Sequence, residues 1–80
     1  MHLTRATVTK LKTDDGLVET WDYVKVGDRY VVDLDTVRAD QQMYNLDTHV
    51  NHRKTIVQVQ NPDGTWGWMA LELLKVDTDG

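Results

Sequence analysis

The stretch Ile56 to Val76 reads IVQVQNPDGTWGWMALELLKV. Its centre, Asn61-Pro62-Asp63-Gly64, carries a turn signal at every position. Pro62 pre-sets φ, Asn61 and Asp63 offer side-chain oxygens to local amides, and Gly64 accepts positive φ without a Cβ clash. Ile, Val, Thr and Trp flank the turn, and all of them suit a pleated surface. The segment therefore predicts a β-hairpin. A three-residue loop closed by a Gly64 bulge places Asn61 opposite Thr65, Val59 opposite Gly67 and Val57 opposite Met69. Val57, Val59 and Met69 then share the inner face. Trp66 and Trp68 share the other face with Gln58 and Gln60, partly exposed. A four-residue loop would reverse the faces; the Gly at the bulge position favours the shorter one.

Outward from the hairpin, Ala70 to Leu74 is too short for an isolated helix and predicts a single 3-10 turn. Lys75 and Val76 return to strand, and Asp77 to Gly80 is a polar tail. On the other side, Arg53 to Gln60 is the first hairpin strand. Arg29 to Leu34 alternates Tyr30, Val32 and Leu34 against Arg29, Val31 and Asp33, which predicts a further strand after the Gly27-Asp28 break. Thr4 to Leu11 predicts the first strand, with Ala6, Val8 and Leu11 as its inward residues. Thr13-Asp14-Asp15-Gly16 is a turn. Leu17 to Val26 is mixed: Trp21 and Tyr23 suit an irregular arm, while Val24 and Val26 alternate as in a strand. Asp35 to His52 has little periodicity and is expected as a long loop, with one or two helical turns over Ala39 to Leu46.

Eighty residues give one domain, residues 1–80, with a core expected over about 4–77 and a small interior. Cysteine is absent from the sequence, so disulfides and thiolate zinc sites are excluded. No apolar run approaches the roughly 20 residues that span a bilayer, and Met1 to Arg5 lacks the hydrophobic segment of a signal peptide. These features lead to the expectation of a cytoplasmic protein. The net charge of −4 disfavours sequence-independent nucleic-acid binding, which relies on a basic surface.

The order of these elements resembles the SH3-like small β-barrel over nearly the whole chain. Val24-Lys25-Val26-Gly27-Asp28-Arg29-Tyr30-Val31-Val32 looks like that family's entry from its first long loop, the RT loop, into the second strand. Gly67-Trp68-Met69-Ala70 followed by Leu73-Leu74-Lys75-Val76 looks like its closing pattern. The resemblance implies an all-β, five-stranded barrel with Thr4 to Val26 as strand one plus the RT loop. It also implies a long n-Src-type loop from Asp35 to about His52 and a 3-10 turn before the last strand. Val57, Met69 and Leu74 fall on core positions in this match. The departures bear on function. Ala70 stands where the proline-motif binders of the family have Pro, Leu73 where they have Tyr, and Arg5 to Lys10 lacks their aromatic first-strand motif. The chain is more similar to bacterial or viral SH3-like modules, some of which, the KOW type, bind RNA or ribosomal and transcription partners.

Among the residues that carry chemistry, the aromatics lead. Trp21, Tyr23, Tyr44, Trp66 and Trp68 are candidate contacts for a protein partner, because Trp and Tyr bury large area at low entropy cost. Arg29, Arg38, Arg53 and Lys54 are the candidates for the alternative, nucleic-acid reading. His49 and His52 have H-x-x-H spacing near Asp47 but no helix to present them, and are read as solvated loop histidines. Asp33 and Asp35 are read as a charged edge that discourages sheet-to-sheet association. Neither a Gly-rich phosphate loop nor a nucleophile elbow is present. The expectation is a small noncatalytic accessory module, of bacterial or phage type, without cofactor or metal.

Overall fold

The computed structural model describes residues 1–19, 21–45 and 48–77. Five strands form one antiparallel sheet: β1 (Leu3–Val8), β2 (Arg29–Asn45), β3 (Val50–Gln60), β4 (Trp66–Ala70) and β5 (Leu74–Val76). A 3-10 turn, η1 (Leu71–Leu73), links β4 to β5. The order across the sheet is β4-β3-β2-β1-β5. The expected closed barrel is not formed. The edge strands β4 and β5 are joined through η1 and are not paired to each other. Among the described residues no helix is long and apolar enough to cross a membrane.

The β3–β4 hairpin has the register its turn chemistry demands. Val57 pairs with Met69 and Val59 with Gly67. The Asn61 amide donates to the Thr65 carbonyl at 2.7 Å, and the Gly64 amide to the Asn61 carbonyl at 2.9 Å. Gly64 has φ +91°, the left-handed conformation that a Cβ would strain. Asp63 Oδ1 accepts the Thr65 amide at 3.0 Å and its hydroxyl at 2.6 Å, which completes the turn.

The core follows from this register. Val57, Val59 and Met69 are buried with Ala6, Val8, Val24, Val32, Ala70, Leu73 and Leu74. Met69 is 1% exposed, and burial of a side chain of this size stabilises by roughly 2–3 kcal/mol. β1 supplies Ala6 and Val8, but the strand ends at Val8, and Leu11 is exposed instead of turned inward. Residues 17–26 contain no strand among those described. Val24 is buried at a turn, whereas Val26 is 60% exposed, so their alternation is not a strand signal.

The largest departure lies between Asp35 and His52. In place of a long loop or a helical turn, β2 runs on to Asn45 and pairs with β3 from Val50. Register shifts occur between Asp33 and Arg38 and again between Arg38 and Gln41. Asp40 there has φ +57°, a conformation Asp tolerates better than most residues. This ribbon extends past β1 and β4, which pair only with Arg29–Asp33 and Ile56–Gln60 respectively. At its far end one face, with Gln41, Met43, His52 and Lys54, is partly or fully covered, and the other, with Gln42, Tyr44, Asn51 and Arg53, is exposed. The covered face is itself mostly polar, so the sequence shows no apolar alternation, and cross-strand backbone pairing carries the ribbon.

Candidate functional site

The extended ribbon, the end of β4 and the arm before β2 enclose a groove of about 250 Å³. Leu17, Val18 and Glu19 form the arm side, and Met43, Tyr44 and Asn45 come from the ribbon. Trp68, Met69, Ala70 and Leu73 form the floor. The lining is mostly apolar, with a few polar groups at its rim, as ligand clefts generally are.

Each wall has a local cause. The Thr13–Gly16 turn closes when the Gly16 amide donates to the Thr13 carbonyl at 3.0 Å, and Thr13 Oγ1 accepts the Leu17 amide at 2.9 Å. That holds Leu17 inward, while Val18 remains exposed. On the ribbon, the Tyr44 hydroxyl and His49 Nδ1 lie 2.9 Å apart, and the two rings are 6.2 Å apart at a tilt. Tyr44 is thereby fixed beside the groove with half its surface open. On the floor, the Arg38 guanidinium stands 5.3 Å from the Trp68 ring centroid, a cation–π contact that orients the indole.

The five candidate aromatics are not one patch. Tyr44 and Trp68 line the groove. Trp21 and Tyr23 stack on each other, centroids 6.0 Å apart and planes within 17°. The Tyr23 hydroxyl donates to Asn61 Oδ1 at the hairpin turn. Trp21 packs against Gly67, on the side of β4 opposite to Trp66 and Trp68, because successive positions of a strand face opposite ways. Trp66 is half-buried across from Gln60.

The four candidate basic residues are already engaged. Arg29 pairs with Asp77, Arg53 with Asp40 at 3.3 Å, and Arg38 with the Trp68 ring. Lys54 Nζ lies 2.8 Å from Asp15 and 2.9 Å from Glu72, with its side chain 12% exposed. These contacts hold the Lys54 ammonium above its usual range, with Asp15 the larger cause. Lys54, above all, holds Asp15 well below the usual carboxylate range. Glu72 is held down to about 2, first by the Asp14 amide and then by Lys54.

The histidines correct the expectation of a solvated pair. His49 is exposed beside Tyr44, but His52 is 5% exposed, with Nδ1 3.0 Å from Asp15 Oδ2 and Nε2 buried without a partner. The imidazoles thus have separate partners and share no site; Asp47 lies outside the described residues. Among the described residues no group of three or more His, Asp or Glu has metal-site geometry. Asp33 is likewise not an exposed edge charge. It is buried and accepts the His2 and Asp35 amides, each at 3.1 Å.

Sequence reasoning finds Tyr44 and Trp68 but misses Leu17, Val18, Glu19, Met43 and Asn45. The apolar pair directly after the Asp-Asp-Gly turn is the available signal for Leu17 and Val18. The ribbon residues have none, because only the extension of β2 brings them to the groove. No family model matches this chain, and no similar curated protein and no similar solved structure was found.

Proposed function

We propose that this chain is a noncatalytic binding module that takes an extended segment of a protein partner in the groove between the arm and the β2–β3 ribbon. The observation that carries the reading is that Tyr44 and Trp68 line one groove together with the apolar Ala70 and Leu73. Two amphipathic aromatics beside a concave apolar floor are the usual composition of an interface hot spot. The strand order and the 3-10 turn before the last strand support an SH3-like topology for the module. The groove lies where its arm, ribbon and 3-10 turn converge. The partner contact is proposed to occur in the cytoplasm.

The nucleic-acid alternative has less support. Arg29, Arg53 and Lys54 face carboxylates, and Arg38 lies on an indole. A strand of phosphates would have to displace these partners before gaining its own contacts.

A random peptide library displayed on phage and panned against the full chain tests the proposal. Selected peptides are expected to shift the amide resonances of Leu17, Val18 and Tyr44 and to quench tryptophan emission. Trp68→Ala is expected to weaken them by about 2 kcal/mol or more, with the near-native spectrum retained. Enrichment of no peptide, or shifts confined to another face, refutes the groove. Tight, salt-sensitive binding of mixed-sequence RNA would favour the alternative.

A further inference from the structure

The arm over residues 10–19 bonds mainly to itself. The Thr13 amide donates to the Leu17 carbonyl and the Glu19 amide to the Leu11 carbonyl, both at 2.8 Å. Lys12 and Val18 form an isolated bridge. Of its apolar side chains, Leu17 is buried while Leu11 and Val18 are exposed. Little hydrophobic area therefore fastens the tip to the sheet.

Charge supplies the fastening. Lys54, on β3, lies between Asp15 of the arm and Glu72 of η1. Glu72 reaches back to the arm: its Oε2 accepts the Asp14 amide at 2.7 Å and lies 3.3 Å from Lys10 Nζ. Lys10 also pairs with Asp14 at 3.0 Å. His52 Nδ1 meets the second oxygen of Asp15. Three elements thus converge on one nearly buried ammonium group. Lys54 is the shielded member of the set at 12% exposure, while Asp15 and Glu72 keep 47% and 31% of their side chains in water, so what the ammonium supplies is the tie between them.

We infer that Lys54 is a positioning residue: it clasps the arm against β3 and η1, and the groove has its arm wall only while this clasp is closed. The use of the groove rests on the function proposed above; the clasp itself does not. A segment with few apolar contacts and self-contained hydrogen bonds opens independently of the sheet. When it opens, Leu17, Val18 and Glu19 leave with it. A ligand that needs all three walls selects the closed arm, and its apparent affinity falls with the closed fraction.

Amide hydrogen exchange on the full chain, followed by NMR, tests the clasp without any ligand. In Lys54→Met, the Asp14 amide, the one bonded across the clasp to Glu72, is expected to exchange about tenfold faster or more, with the amides of Val57 and Val59 little changed. Glu72→Gln is expected to act in the same direction more weakly, and it carries the test if Lys54→Met fails to fold. Unchanged arm protection, or equal acceleration of arm and sheet, overturns the clasp. Selective loosening of the arm in a protein that selects no peptide leaves the clasp standing and the groove refuted. Peptide binding with no change in arm exchange refutes the clasp and leaves the groove standing.

Discussion

Trp21 lies against the backbone of Gly67 so closely that a Cβ at that position would stand 2.5 Å from Cζ2 of the indole. The contact joins the arm to the central hairpin. It explains why β4 has a glycine between two tryptophans, where a β-branched residue would otherwise suit the strand. The Tyr23 ring stacks on the same indole.

Gly67→Ala is therefore expected to displace the Trp21 ring and to cost about 1–3 kcal/mol, as overpacking does. Urea unfolding with tryptophan emission measures both effects. Trp21→Ala removes the obstacle, so the double variant is expected to lose less than the two single losses combined. Strict additivity would show that the contact is not formed in solution.

Met69 provides the check on the hairpin register. With its side chain buried opposite Val57, Met69→Ala is expected to cost about 2–5 kcal/mol. The slope of the urea transition should stay the same while its midpoint falls. A loss well below this range would mean that Met69 faces water and that the hairpin pairs one residue out of step.

Acid should release the arm clasp. Glu72 and Asp15 both have their carboxyl pKa lowered by folding, from ordinary values of 4.5 and 3.8. Their stabilisation is then fully present above those ordinary values and is lost as the pH falls through the folded ones. For Glu72 the window runs from 4.5 down to about 2. The difference in unfolding midpoint between the native chain and Glu72→Gln is expected to be constant above this window and to shrink across it. A difference that does not change with pH would remove Glu72 from the clasp.

Much of this architecture is legible in the residues, and the boundary of what is legible has a physical basis. Asn61 to Gly64 admits few backbone conformations, so the turn, the bulge and the Val57–Met69 pairing follow from local chemistry. The Leu71–Leu73 turn is similarly local. The ribbon beyond Asp33 is different. Asp35, Arg38, Asp40, Gln41 and Gln42 have weak intrinsic preference for strand and no apolar alternation, yet they form one because β3 lies beside them. The burial of Lys54 and His52 is illegible for a related reason. It depends on Asp15, which is remote in sequence and reaches them only when the arm folds back.

The sequence by itself determined the central hairpin, its register and the inward set of Val57, Val59 and Met69. Local backbone restriction and period-two burial act within a few residues of each other. Tertiary structure alone decided that the sheet stays open between β4 and β5, that β2 runs on into a ribbon, and that Tyr44 and Trp68 share a groove while Trp21 and Tyr23 do not. Those outcomes depend on pairings and charge contacts between distant segments, and their energies exist only once the segments have met.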